Sequence, residues 1–141
     1  MGGPKKSRVR VDQPVARILD ANLNRAREGI RVIEDGVRFL WDDKQLYTTL
    51  RRIRHELDGI TRDFFKALIL SRDSEQDAGR RLIEGPRGNL TDVLASNMRR
   101  AQEAVRVLEE YGKIFSWRAA GRFKKIRFQL YILEKKIMVR L

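Results

Sequence analysis

"NLNRAREGIRVIEDGVRF", residues 22 to 39, returns seventy-five positions later as "NMRRAQEAVRVLEEYGKI", residues 97 to 114, with nearly the same letters. Around the first copy the apolar residues Leu19, Leu23, Ala26, Ile30, Ile33, Val37 and Leu40 keep a 4-3-4-3 spacing, which lays them along one stripe of a helix. The second copy repeats the stripe through Leu94, Met98, Ala101, Val105 and Leu108. Two more seams follow the copies, one through Leu46, Leu50, Ile53, Leu57, Ile60, Phe64 and Ala67, the other through Phe123, Ile126, Leu130, Leu133 and Ile137. Within these, "LRRIRHEL" (50 to 57) and "FKKIRFQL" (123 to 130) align with Ile, Arg and Leu in register, so the repeat extends to a whole helical hairpin.

Local signals punctuate the same four helices. Asp12 stands where it can cap the first helix, with Pro14 in its first turn; Asp42 and Asp43 can cap the second; Asn89, with Asp92 three residues on, can open the third. Gly112 and Ser116 mark the break before the fourth. The prediction is an all-α, antiparallel four-helix bundle made of two duplicated helical hairpins, since hairpins bury their seams most economically against each other. Hairpin one spans 13–70, a long central connection spans 71–88, hairpin two spans 89–141, and a basic flexible tail of residues 1–12 precedes this single domain. "RRLI" in the connection reads as a further helical turn. The fourth helix carries Phe128, Tyr131, Ile132, Met138 and Val139 beyond its seam, read either as a wide face buried within the chain or as a homodimer contact.

With 141 residues, 42% of them hydrophobic and 35% charged, the chain suits one helical domain with its own core. It has no cysteine and one histidine, which excludes a disulfide framework and a thiolate zinc site, disfavours any transition-metal site and fits the cytoplasm. No stretch approaches the ~18 apolar residues of a membrane span, and "MGGPKKSRVRV" lacks the apolar core of a signal peptide. A net charge of +12 favours anionic partners: phosphorylated metabolites, nucleotides, nucleic acid or an acidic surface.

The polar matches between the copies fall every third residue: Asn22, Arg25, Glu28, Arg31 and Glu34, then Asn97, Arg100, Glu103, Arg106 and Glu109. Steps of three turn back about 60° each on a 3.6-residue helix, so the series winds from the seam edge towards solvent. Glu28, Arg31 and Glu34 thus read as an outer salt ladder. Asn22 and Arg25 flank the seam beside Gly29 and Gly36, as Asn97 and Arg100 do beside Ala104, where another helix or a ligand can approach. A guanidinium there can grip a phosphate through two parallel hydrogen bonds, or pair with a glutamate between helices.

The connection "SRDSEQDAGRRLIEGPRG" offers Arg72, Asp73, Asp77, Gly79, Arg80, Arg81 and Arg87. Arg72, Asp73, Asp77 and Arg87 are candidates for holding a nucleotide with Mg²⁺, because magnesium usually takes one or two carboxylates plus substrate oxygens; the alternative is a solvated loop. Neither "GxxxxGK[ST]" nor "GxGxxG" occurs. His55, next to a seam position, reads as a packed or partly exposed side chain before a general base.

In order, "RILDANLNRAREGIRVIEDGVRF", "LRRIRHEL", "SRDSEQDAG" and "NMRRAQEAVRVLEEYGKI" resemble the helical domain found fused in front of thiamine-phosphate synthase, over roughly residues 15 to 134. That family is proposed as an alternative hydroxymethylpyrimidine phosphate kinase, so the resemblance implies phosphoryl transfer from ATP with Mg²⁺ to a phosphorylated pyrimidine in thiamine biosynthesis. Its motifs match at Asn22, Arg25, Glu28, Arg31 and Glu34; at Arg54 and His55; at Arg72, Asp73, Asp77 and Gly79; and at Asn97, Arg100, Glu103, Arg106, Glu109 and Lys113. "RDS" stands where the family tends to have "RDT". The synthase's own (β/α)₈ barrel, of ~250 residues, is not expected in this sequence. On this reading Asn22, Arg25, Asn97 and Arg100 bind substrate, and no catalytic base or metal ligand is assigned. Two alternatives stay open: a non-catalytic partner module of thiamine-phosphate synthase, and a basic nucleic-acid-binding protein, for which "PKKSRVR", "RRIR" and "RFKKIR" speak but no recognition signature does.

Overall fold

With Pro14 in its first turn, the first helix runs unbroken for about eight turns, and the two aspartates after Trp41 reverse the chain at once. In the computed structural model, which describes residues 11–62 and 65–141, α1 is Gln13–Trp41 and α2 is Lys44–Thr61. Then come α3, Phe65–Ser71, α4, Leu90–Gly112, and α5, Trp117–Met138. No strand occurs among the described residues. The expectation of a basic tail falls largely on residues 1–10, and that of seam residue Phe64 on 63–64, outside the described residues. Val11, assigned to that tail, packs partly buried against the core.

The α1–α2 reversal uses its two aspartates differently. Asp42 takes a left-handed conformation (φ 50°) and ends α1, while Asp43 caps α2 by accepting the Leu46 N–H at 3.0 Å. Asn89 and Ser116 cap α4 and α5 in the same way. Asp12 does not use its side chain; only its carbonyl enters α1, accepting from Ala16 N at 2.8 Å.

Among the described residues the four seams are buried where the spacing predicts, except at Leu40 and Ala67. Leu40 is 43% exposed, because α1 and α4 run antiparallel, Gly36 already lies against Leu94, and Leu40 reaches past the start of the partner helix. The second seam does not continue to Ala67: the helix stops at Thr61, α3 starts afresh, and Leu68 is the residue buried. "RRLI" forms only a turn, with Arg80 N bonded to the Asp77 carbonyl and Leu82 N to that of Gly79.

Packing is most extensive between α1 and α4, then between α4 and α5 and between α1 and α2; α3 lies on α1, and α2 touches α5 more lightly. Gly29 explains the tight central pair, since a Cβ there would stand 2.9 Å from the Asn97 carbonyl oxygen. The close approach at this glycine is therefore to a helix.

Corresponding positions of the two similar segments make the same contacts. Glu34 accepts from Arg54 Nε and Nη2 at 2.8 and 3.1 Å, and Glu109 from Arg127 Nε at 2.9 Å. Arg31 faces Glu34 and Asp35 as Arg106 faces Glu109 and Glu110. Glu34 has no exposed surface, which corrects its assignment to an outer ladder: it lies four residues from Ile30 and three from Val37, inside the seam. One pair ties α1 to α2 and the other α4 to α5.

Candidate functional site

Asn22 spends its amide on its own helix, donating to the Ile18 carbonyl at 2.9 Å, and Asn97 does the same to Val93 at 2.8 Å. Asn22 also offers Oδ1 to Arg25 Nη1 at 3.5 Å. Three residues apart on α1, both reach a cavity of about 560 Å³ between the first half of that helix and the start of the connection. Arg17 and Asp20 of α1 and Arg72, Asp73 and Asp77 of the connection share its wall.

Asp20 organises that wall. It is only 4% exposed, and both its oxygens accept from Arg72, at 2.7 Å from Nε and 2.7 Å from Nη2. This two-pronged pair holds the Arg72 guanidinium above the ordinary arginine range, the hydrogen bond to Asp20 being the leading cause. Asp73 accepts the Gln76 N–H at 3.1 Å and Asp77 the Gly79 N–H at 2.7 Å, each through Oδ1. In both, the second oxygen makes no protein hydrogen bond among the described residues.

A second cavity, about 360 Å³, shares Asn22 and Arg25 and is completed by Arg100, Glu103 and Ala104 of α4 and Glu84 of the connection. Arg25 and Arg100, the same position in the two copies, converge here, and Arg100 already holds Glu84 at 3.1 Å. Asn97 and Arg87 line neither cavity; Arg87 is exposed, with Nη1 3.5 Å from the Gly85 carbonyl. His55 is exposed on α2 and also lines neither.

The structure thus gathers Asn22, Arg25, Arg72, Asp73 and Asp77 in one place and Arg25 with Arg100 in an adjoining one. Sequence reasoning missed Arg17, Asp20 and Glu84. A signal existed for two of them: at the seventy-five-residue offset Arg17 faces Asp92 and Asp20 faces Ala95, departures within otherwise similar copies. Among the described residues no cluster of three or more His, Cys, Asp or Glu could hold a metal ion, and no helix is long and apolar enough to cross a membrane.

The described residues thus form an all-helical chain with a cavity walled by arginines and carboxylates. More particularly, this chain belongs to the ThiD2 family, whose model matches residues 17–136. It is 41% identical over 138 residues to the thiamine-phosphate synthase of Nostoc punctiforme, covering 96% of this chain and 38% of that protein. It is similar also to the thiamine-phosphate synthases of Synechocystis (39% over 127 residues, 88% of this chain and 36% of the relative) and Rhodopirellula baltica (38% over 131, 90% and 35%). The chain therefore spans little more than a third of the length of these curated relatives. No solved structure matches it.

Proposed function

We propose that this protein acts in thiamine biosynthesis and phosphorylates hydroxymethylpyrimidine phosphate to the diphosphate, with ATP and Mg²⁺. The observation that carries the reading is the shared cavity in which Asn22 and Arg25 meet Arg72, Asp73 and Asp77. A terminal (non-bridging) oxygen of the substrate's phosphate attacks the γ-phosphorus of ATP, the bond from that phosphorus to the β,γ-bridging oxygen breaks, and ADP leaves. That nucleophile is already anionic near neutral pH, so the reaction needs no general base to deprotonate it. What remains is alignment and charge neutralisation, the terms that dominate phosphoryl transfer.

Arg25 and Arg100 are the proposed ligands of the substrate phosphate, with Asn22 beside them, while Arg72 serves the nucleotide. Mg²⁺ would neutralise charge on the transferred group, and the unengaged oxygens of Asp73 and Asp77 suit it. Two duplicated hairpins in an antiparallel four-helix bundle account for the matched contacts of the copies and for the α2–α1–α4–α5 packing. A cytoplasmic location agrees with the absence of cysteine.

Incubating the purified chain with ATP, Mg²⁺ and the pyrimidine monophosphate should yield the diphosphate and ADP in equal amounts, read by anion-exchange chromatography. Ligand binding without product would instead favour a non-catalytic partner of thiamine-phosphate synthase. That second reading draws on the relatives, in which the matched part is about a third of a longer synthase. The exposed Phe128 and Ile132 of α5 would serve such docking or a homodimer. Nucleic acid is the weaker partner, because many arginines of α1, α2, α4 and α5 are already engaged by carboxylates.

A further inference from the structure

We propose that Asp20 is a positioning residue: it presents the free edge of Arg72, beside Arg17 and Arg25, as the wall that binds a polyphosphate in the first cavity, with no counterpart at the second copy. The ligand's identity rests on the phosphoryl-transfer reading; the geometry does not. Asp20 occupies Nε and Nη2 of Arg72, which leaves Nη1 without a protein partner among the described residues. The Arg72 side chain is nonetheless 40% exposed on the cavity wall. Arg17 and Arg25 form no ion pair among the described residues, so three guanidinium groups face one space with donors to spare.

The repeat acts as an internal control on what the fold requires. Both copies keep the buried glutamate–arginine pair and the asparagine bonded back to its own helix. Only the first has the buried carboxylate, for position 95 is alanine where Asp20 stands, and the neighbouring cavity arginine, Arg17, is matched by Asp92. A helix of this pattern packs with alanine at that place, so Asp20 is not a requirement of packing. Removing a carboxylate from water is costly and repaid only by good partners. A buried acid that fixes an otherwise mobile arginine at a cavity rim does what an anion site needs: it sets the guanidinium before the ligand arrives. The two remaining carboxylates of the wall, Asp73 and Asp77, would meet a polyphosphate through shared Mg²⁺.

The test measures binding, not turnover. Calorimetric titration of the full chain with inorganic tripolyphosphate and with ATP, each with Mg²⁺ at fixed ionic strength, should show both bound in the wild type. Arg72→Ala and Asp20→Ala should each weaken both ligands about tenfold or more, and the double variant should be no weaker than Arg72→Ala alone, since the carboxylate acts through that arginine. Arg118→Ala, an exposed cation on α5, should leave affinity unchanged. Melting should be little altered in Asp20→Ala; if that variant does not fold, Asp20→Asn, which keeps the volume and one acceptor, should show the weakened binding. Absence of polyphosphate binding in the wild type, undiminished affinity in the Asp20 variants, or losses that multiply in the double variant would overturn the proposal. Binding that falls as described without diphosphate product would defeat the kinase reading alone, whereas product formation with unaltered affinity in the variants would defeat this inference alone.

Discussion

Arg54 and Arg127 pair with the buried glutamates Glu34 and Glu109, and both sit above the ordinary arginine range chiefly because of those hydrogen bonds. Truncating Arg54 to alanine leaves a carboxylate that has no exposed surface with only the longer Arg31 contact at 3.5 Å, so a loss of about 3–5 kcal/mol is expected in urea unfolding. Replacing Glu34 and Arg54 together with leucine and methionine should recover most of it, because an apolar pair leaves no charge uncompensated. Arg100→Ala should behave differently: its bond to the largely exposed Glu84 is worth at most ~1 kcal/mol, so melting changes little while phosphate-ligand affinity falls about tenfold or more. From the sequence, arginine-to-glutamate pairing is read as local ladders, which the structure retains in Arg31 and Arg106, and as an interhelical alternative at Arg25 and Arg100. The stronger partners of Glu34 and Glu109 lie on neighbouring helices, and no spacing along one helix encodes them.

Gly29 and Gly36 separate two kinds of close packing between elements. A methyl group at Gly29 meets the backbone oxygen of Asn97 at 2.9 Å, whereas at Gly36 it meets the tip of Leu94 at 2.6 Å. A leucine side chain can turn away; a helix backbone cannot. Gly29→Ala is therefore expected to destabilise by roughly 1–3 kcal/mol before the ~1 kcal/mol gain in helix propensity is counted, and Gly36→Ala to be nearly neutral, both read by thermal melting. The α2 cap supplies a pH test. The backbone N–H of Leu46 leads in holding the Asp43 carboxyl below the usual range, with Arg140 adding to it. A folded value below the unfolded one means that the contribution is complete above the ordinary aspartate value of ~3.9 and fades as pH falls through the depressed one. Asp43→Asn should accordingly flatten the acid limb of stability against pH relative to wild type. Helix seams were legible because burial repeats at the helical period. Leu40 and Ala67 escaped because helix overhang and a restarted phase depend on where the partner ends.

Across the whole molecule, residues 72–90 are exposed without interruption, Ile83 almost completely, yet the segment is fastened by Arg72 on α1 and Glu84 on α4. Its amides should exchange fastest among the described internal segments in the free protein and slow when nucleotide with Mg²⁺ is added. Asp77→Asn should reduce that slowing and Glu28→Gln, on the α1 face away from this cavity, should not; hydrogen exchange read by mass spectrometry checks both. The polarity and glycines of the connection are plain in the sequence, but not its two fastenings, since neither Asp20 nor Glu84 belongs to a shared motif of the copies. Covalent continuity through this segment contributes little to the core, because the helices on either side bury their seams against each other. Proteolytic cleavage between Asp77 and Glu84 should then leave two fragments that co-elute as one particle and, once separated in denaturant, find each other again on its removal. Expressed as two independent polypeptides, the halves form a ready-made complementation pair, in which each hairpin reports whether the other is present.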